Sequence, residues 1–343
     1  ERSLALALKH GMTAMINMQA WMFLSSFEVL RTKLLSRATI LSMAHIGERG
    51  FDSIGGAVVS TTAFVFSNSF ISNKEGVYLR LVDGKSEAEK SSMALEAIRN
   101  PNCGWLYRSS ANDFSRIPGH PIAYWASKTT IQAFESGTRL GDDLDTAQGM
   151  KTLDNERFIR RWQEVSVSNI TGNSAPDKKW VPINHGGGFR KWHGFQEAVL
   201  NWFNDGEEIK ELAKKKYNSV TRTVTGMGHY FENGITWSAI SSDLISVRKF
   251  GEGFIFTNAG MCAFGNEKSQ NTAMALLNSK VGIEVLKILA PSVNFGPNQV
   301  SEIRIIDSRD RTQTIQTNSG KLVTLSRQDW DYNETSWDFT SLP

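Results

Sequence analysis

Lysine and arginine recur beside tryptophan in the middle of this 343-residue chain. Arg157, Arg160, Arg161 and Trp162 form one group, Lys178, Lys179 and Trp180 a second, and Arg190, Lys191, Trp192 and His193 a third. Lys214, Lys215, Lys216 and Arg222 follow, with Arg248 and Lys249 beyond them. Cationic side chains neutralise phosphates and release their counterions, while indole rings and guanidinium planes stack on bases or frame them. Taken singly, each residue reads more simply as part of a solvated helix face or as a core tryptophan. Lys214–Lys216 is the clearest such case, because it follows Glu207, Glu208 and Glu211 at helical spacing. Taken as a group in one stretch of chain, they point to nucleic acid.

Other chemistries find less support. His185-Gly-Gly-Gly188 resembles an oxyanion string, but no G-x-S-x-G nucleophile elbow accompanies it, so it reads as a tight glycine turn. Gly84-Lys85-Ser86 ends like a P-loop, yet Leu79 stands where the first glycine belongs. Neither an H-E-x-x-H pair nor cysteines at ligand spacing occur, so no metal site is expected. Pro176-Asp177 followed by Glu208-Ile209-Lys210 satisfies a loose PD…E-x-K pattern, in which two carboxylates hold Mg²⁺ and a lysine stabilises charge. This keeps a Mg²⁺-dependent nuclease open as an alternative, although Glu208 and Lys210 fall in a helix-like run where surface pairing explains them. A third alternative is a non-enzymatic interaction module that uses exposed aromatics.

The elements that must position these residues follow from length and pattern. A chain of 343 residues suggests about two domains. Its 40% apolar and 21% charged residues describe an ordinary globular protein, and the net charge of +3 is far from that of a histone-like chain. The longest apolar run, Gly11 to Leu24, is broken by Thr13, Asn17 and Gln19, so no membrane span is expected. Two cysteines, Cys103 and Cys262, make no disulfide framework, which favours the cytoplasm. The chain opens on Glu1 within a helix-like pattern and reads as part of a longer protein. Glu1–His10 is expected to close a helix, Met12–Met18 to be a buried strand, and Ser25 with Glu28 to open a helix through Leu30 and Leu34. Thr39–Ile46 and Ala57–Phe66 are strand-like, giving one edge of an open α/β sheet. Ser86 and Glu89 should cap a helix ending near Asn100–Pro101, and Ile117–Pro121 should lead into a second domain. There, Asp205 should cap a helix over Gly206–Lys216, and Met274, Leu277, Val281 and Val285 should lie on one longer helix.

Several longer strings carry a resemblance. Asn17–Glu28, Phe51-Asp-Ser-Ile-Gly-Gly56, Trp180–Trp192, Asn201–Gly206, Gly234–Ser238, Leu277–Val281 and Glu334–Asp338 are similar to the adenine-specific DNA methyltransferases of BREX phage-defence systems, the phage growth limitation methyltransferase family. The resemblance implies an S-adenosylmethionine-dependent enzyme that methylates adenine N6 in duplex DNA. The family's glycine-rich cofactor loop and its [NDS]-P-P-[YFW] motif are absent here, and Asn100-Pro-Asn-Cys103 lacks the second proline and the aromatic. S-adenosylmethionine would thus be held outside this chain, with no cofactor expected within it, and the chain alone would be inactive. The implied fold is α/β: the C-terminal edge of a Rossmann-like methyltransferase sheet over 1–70, a helical connector over 71–115, a mixed α+β target-recognition domain over 116–307, and a tail over 308–343 leading to a further region. Double-stranded DNA is the implied partner, with other defence-system proteins beside it.

The resemblance also nominates residues. His45–Phe51, before the second strand, is similar to the segment that holds an aromatic against the flipped-out adenine, which singles out Phe51. From side-chain chemistry rather than the resemblance, Arg190 is expected at a guanine edge, and Lys178, Lys179 and Lys191 on phosphates, with Arg157 and Arg160 also on DNA. Asn184 offers an amide for adenine or simply shapes the turn. Trp180 and Trp192 either touch DNA or anchor their loop in the core.

Overall fold

The computed structural model describes residues 1–54, 59–171, 178–241, 244–291, 294–306, 311–339 and 341–342. The chain divides into two compact units, Glu1–Ser136 and Gly137–Pro343. Both are built from helices and mixed sheets, so the α/β expectation holds at that level. Among the described residues no helix is long and apolar enough to cross a membrane.

The first unit is a five-stranded sheet. Its strands are β1 (Met12–Met18), β2 (Thr39–Gly47), β3 (Thr61–Ser67), β4 (Glu75–Arg80) and β5 (Leu106–Ser110), in the order β1-β3-β2-β4-β5. β3 runs antiparallel to both neighbours, with Met15, Phe64 and Met43 side by side, so β1 and β2 are mutually parallel. β4 is parallel to β2, and β5 is antiparallel to β4. The β-branched and aromatic runs supply the alternation of a half-buried strand: Phe64, Phe66, Met43 and Tyr78 enter a core with Trp21, Met22, Leu35, Phe114 and Tyr124. Ala57 and Val58, the expected start of β3, lie outside the described residues. Helix Glu87–Arg99 begins where the Ser86 hydroxyl accepts the Glu89 amide at 3.2 Å, as the capping pattern predicts.

Three expectations change in this unit. Residues 71–115 are no helical connector, because β4 and β5 flank the one long helix and join the sheet. Ile117–Pro121 stays with the first unit: Arg31, 1% exposed on helix Glu28–Arg37, donates to Gly119 O at 2.6 and 3.0 Å, and to Trp21 O and Leu24 O. A buried guanidinium needs such acceptors, and these tie the turn back to the helix. β1 is a strand but not a buried one. Its Met12, Met15, Ile16 and Met18 are exposed, and Ala14, Ile16, Ala44, Ala63 and Val65 line an open, shallow groove of about 420 Å³.

The second unit has two four-stranded sheets. One orders as β13 (Ile255–Phe256), β9 (Trp180–Asn184), β10 (Ala198–Asn201) and β8 (Ile159–Arg161). The other orders as β12 (Val247–Phe250), β11 (Gly234–Ser238), β14 (Gly260–Phe264) and β7 (Asp145–Ala147). β6 (Thr138–Arg139) pairs separately with β15 (Arg304–Ile305). Val181, Leu200, Trp202, Ile209 and Phe256 form one core, and Trp237, Met261, Leu277 and Leu286 form another. The expected long helix is two, Glu267–Leu277 and Lys280–Leu289. Asn278 breaks it, because its buried amide pairs with both the N–H and the C=O of Val247 at 2.9 and 3.0 Å. The Ser279 hydroxyl then caps the second helix at the Gly282 amide. Asp205 is not a cap; it lies in a left-handed turn with Asn204 and Gly206 and pairs with Lys210. Residues 308–343 are no simple tail, since Thr312–Asp331 is a helix of 20 residues.

Candidate nucleic-acid interface

β9 delivers the chain into a loop, 185–195, whose backbone is held by its surroundings at almost every step. The His185 ring nitrogen Nδ1 lies 2.8 Å from Thr257 Oγ1, and the Ser238 hydroxyl donates to Gly187 O at 2.8 Å. Gly186, at φ 79°, passes so close to the backbone just before β14 that a Cβ there would sit 2.8 Å from Ala259 O, which requires glycine. The Trp192 amide donates to Val247 O, and the Lys249 amide donates back to Trp192 O, each at 2.8 Å.

Arg190 faces inward. Its Nε donates to His193 O, its Nη2 to Ser326 O and to Asp329 Oδ2 at 2.6 Å, and its guanidinium lies 5.2 Å from the Trp330 ring centroid. The expectation of a guanine reader is corrected here, because the donors that would grip a base edge bind the helix Thr312–Asp331. Asn184 is likewise withdrawn: it is 3% exposed and its amide approaches Cys262 Sγ, so it cannot reach a groove. Lys191 donates to Asn278 O at 2.7 Å, and Trp192 is half-buried against the core, anchoring the loop. Arg248, 1% exposed, lies beneath the loop with Nη1 3.5 Å from both Gly188 O and Arg190 O, and burial holds its guanidinium down to about 10. The residue the loop turns outward is Phe189, 58% exposed, with Lys191 Nζ 5.7 Å from its ring centroid. Sequence reasoning passed over it, although its position between a glycine run and two cations was the available signal.

The remaining cations lie at the other end of β9. Lys178 is half-buried, and Lys179 is exposed with Nζ 5.4 Å from the Trp180 ring. Asn201 pairs with Trp180, and Leu200 with Ile159, so Arg157 and Lys179 share that end of the sheet. Arg157 is paired with Glu208 at 2.6 Å, and Arg160 donates to Ile159 O at 2.7 Å. The five residues of β9 separate this group from the loop by about 17 Å at the rise of a strand. The structure therefore divides the predicted patch in two. Glu208 and Lys210, the E-x-K of the nuclease pattern, are each spent in an ion pair, while Asp177 lies outside the described residues. Among the described residues no three His, Cys, Asp or Glu side chains gather to hold a metal. Cys262 is buried, which pushes its thiol up to about 12 and leaves it un-ionised.

In the first unit, the carboxyl ends of β1, β2 and β4 lie along one edge of the sheet. Phe51 sits in the connection from β2 to β3, 36% exposed. Near the end of β2, His45 is buried with Nε2 2.7 Å from Gln19 Oε1 and Nδ1 2.8 Å from the Tyr124 hydroxyl. The amide oxygen only accepts, so Nε2 carries the proton and Nδ1 accepts from Tyr124. Burial, helped by Arg80 and Lys90, holds His45 down to about 4. Phe23 and Trp125 pack on this imidazole with ring centroids 5.8 and 6.4 Å away.

No family model matches the chain. It is 39% identical over 349 residues to the adenine-specific methyltransferase PglX of Lacticaseibacillus casei (strain Zhang). It is 35% identical over 347 residues to the adenine-specific methyltransferase BrxX of Escherichia coli O9:H4 (strain HS). Both alignments cover 99% of the chain, which spans 29% and 27% of those proteins' lengths. Among solved structures, the Type IIL restriction-modification enzyme MmeI in complex with DNA matches with a TM-score of 0.56 at 11% identity, over 98% of this chain and 45% of that one. A nuclease-deletion mutant of the Type ISP restriction-modification enzyme LlaGI, in complex with a DNA substrate mimic, matches at 0.50 and 9% identity, over 94% of this chain and 36% of that one. At such identities the likeness is one of fold.

Proposed function

From a chain that belongs by sequence with the PglX and BrxX adenine-specific methyltransferases over the part of them it spans, we propose a role in S-adenosylmethionine-dependent methylation of adenine N6 in duplex DNA. The observation that carries this reading is 39% identity along 99% of the chain. In it, residues 137–343 grip and read the duplex, and the first unit forms the far edge of a larger Rossmann-like sheet. The sheet geometry agrees: β3 stands antiparallel between the parallel β1 and β2, and β1 presents apolar side chains along a free edge. Ligands of open α/β sheets bind beyond the carboxyl ends of the strands, and the connection bearing Phe51 leaves that edge. Adenine N6 is inaccessible inside stacked duplex DNA, so the base must swing out and be held by a π-face, the part we assign to Phe51.

Bound S-adenosylmethionine supplies the methyl group. The turn from β4 to helix Glu87–Arg99 does not fit it, carrying the single Gly84 and no closely spaced glycines to admit a cofactor to the backbone. We therefore assign it no residue here. Lys178, Lys179 and Arg160 are proposed as phosphate contacts, with Arg157 beside them in its pair with Glu208 and Lys191 on the loop. Phage defence, with sister proteins as partners and a cytoplasmic setting, completes the reading.

The test is a salt titration of duplex binding by the chain. Log affinity should fall linearly with log salt, and the triple reversal K178E/K179E/R160E should lower affinity about tenfold or more and flatten the slope. Unchanged affinity and slope in that variant would overturn the placement.

A further inference from the structure

Five residues in the loop 185–195 hold φ in the left-handed half of the map: Gly186 at 79°, Gly187 at 143°, Trp192 at 75°, Gly194 at 127° and Phe195 at 59°. Glycine adopts such backbone freely, but Trp192 and Phe195 hold it only where the surroundings over-determine it, and strain of that kind gathers at ligand clamps and switches. Here the surroundings are unusual. Arg248 is buried under the loop and among the described residues has no carboxylate partner and no partner for its Nε; its Nη1 is turned to loop carbonyls, and its guanidinium lies 5.2 Å from the Phe195 ring. Arg190 ties the same loop to Ser326 O and Asp329, and the Ser326 hydroxyl reaches back to Lys191 O and His193 O at 3.1 and 3.2 Å. Two arginines and the Ser326 hydroxyl are thus spent on holding one short segment still.

What the segment displays is an apolar ring in water. An exposed phenylalanine on a surface is ordinary. One fixed on a braced loop has lost its freedom before any partner arrives, which favours tight contact. The charged side chains bonded within this loop are Arg190, Lys191 and Arg248, with Asp329 the one carboxylate among them. Asp329 offsets Arg190 and Arg248 is buried, so the cation left beside the ring is Lys191, its Nζ 5.7 Å from the Phe189 centroid, and a ring flanked by a cation suits a polyanion.

We propose that Phe189 is an aromatic wedge that stacks on the bases of duplex DNA, entering from a groove while Lys191 faces the adjoining backbone. The proposal rests on the reading of residues 137–343 as the DNA-gripping unit and adds the residue that touches bases. Apolar side chains presented this way unstack a base step and bend the duplex around the protein.

The experiment measures binding of the whole chain to a randomised duplex pool carrying a fluorescent aminopurine in place of some adenines. Wild type should bind with rising aminopurine emission as bases unstack. Phe189→Ala should lose about tenfold in affinity and most of that emission, consistent with the stacking contributed per base. Phe189→Trp should retain both. Because no phosphate contact is removed, the salt slope of Phe189→Ala should match wild type, unlike that of the lysine reversals. Wild-type binding that Phe189→Ala leaves unchanged in affinity and emission overturns the wedge alone. Failure of the wild-type chain to bind any duplex overturns the DNA-gripping reading and the wedge with it. A thermal melt of Phe189→Ala that matches wild type excludes misfolding as the cause of any loss.

Discussion

In residues 1–136 the outermost strand, β1, carries Met12, Met15, Ile16 and Met18 into solvent, whereas in residues 137–343 both four-stranded sheets bury apolar side chains against helices of their own. Ile209 and Ala213 cover the sheet of β9 and β10, and Leu277 and Leu286 cover that of β11 and β14. β1 is an interior strand in composition and an edge strand in position. Exposed apolar edges are a liability that proteins normally blunt with charge, proline or a covering element, and β1 carries neither charge nor proline on its strand residues. The exposed ring of Phe189 in the second unit is different in kind, being one residue on a braced loop rather than a row along a strand.

The sharpest way to break this contrast is Leu277→Ala. A fully buried leucine should cost about 4 kcal/mol through lost transfer energy and a residual cavity, read as a lowered urea midpoint. Hydrogen exchange should show the loss in 137–343 and not in 1–136. If both units loosen equally, they do not have separate cores.

Acid gives a second test. Burial lowers His45 and His193 from 6.5 to about 4, so the unfolded chain binds more protons between those values. Stability contributed by each neutral histidine is therefore fully present above pH 6.5 and lost as pH falls toward 4, amounting to about 3 kcal/mol for each. His45→Gln should flatten the dependence in 1–136 and leave that of 137–343, again read by exchange. A retained slope in the first unit would mean that another group titrates there.

The smallest effect expected is that of Ile16→Thr. Ile16 is 60% exposed, so the change should cost less than about 0.5 kcal/mol in this chain, read as an almost unmoved urea midpoint. A cost of several times that value would show that β1 is covered after all.

Some of this was legible in the residues. Thr39–Ile46 reads as a strand because β-branched side chains recur there, and Ser86 reads as a cap because its hydroxyl meets an amide three residues on. Local rules suffice where the partner lies within a turn. Asn278 illustrates the opposite: its neighbours continue a helical pattern, and only the backbone of Val247, 31 residues earlier, makes breaking the helix worthwhile. The unit boundary was missed for the same reason, since Arg31 reaches Gly119 across 88 residues.

The amino-acid sequence by itself determined the likeness to known methyltransferases, most of the strand and helix runs, and the concentration of cations and aromatics in one part of the chain, because composition and short-range spacing are local properties. Which of those cations meet solvent was decided only by the tertiary structure. A guanidinium satisfies its donors equally well on a phosphate or on the carbonyls and carboxylate of a neighbouring helix, and the choice depends on what the fold brings within 3 Å. For Arg190 it brings Ser326 O and Asp329, so the inward turn falls to the arginine and the outward one to Phe189.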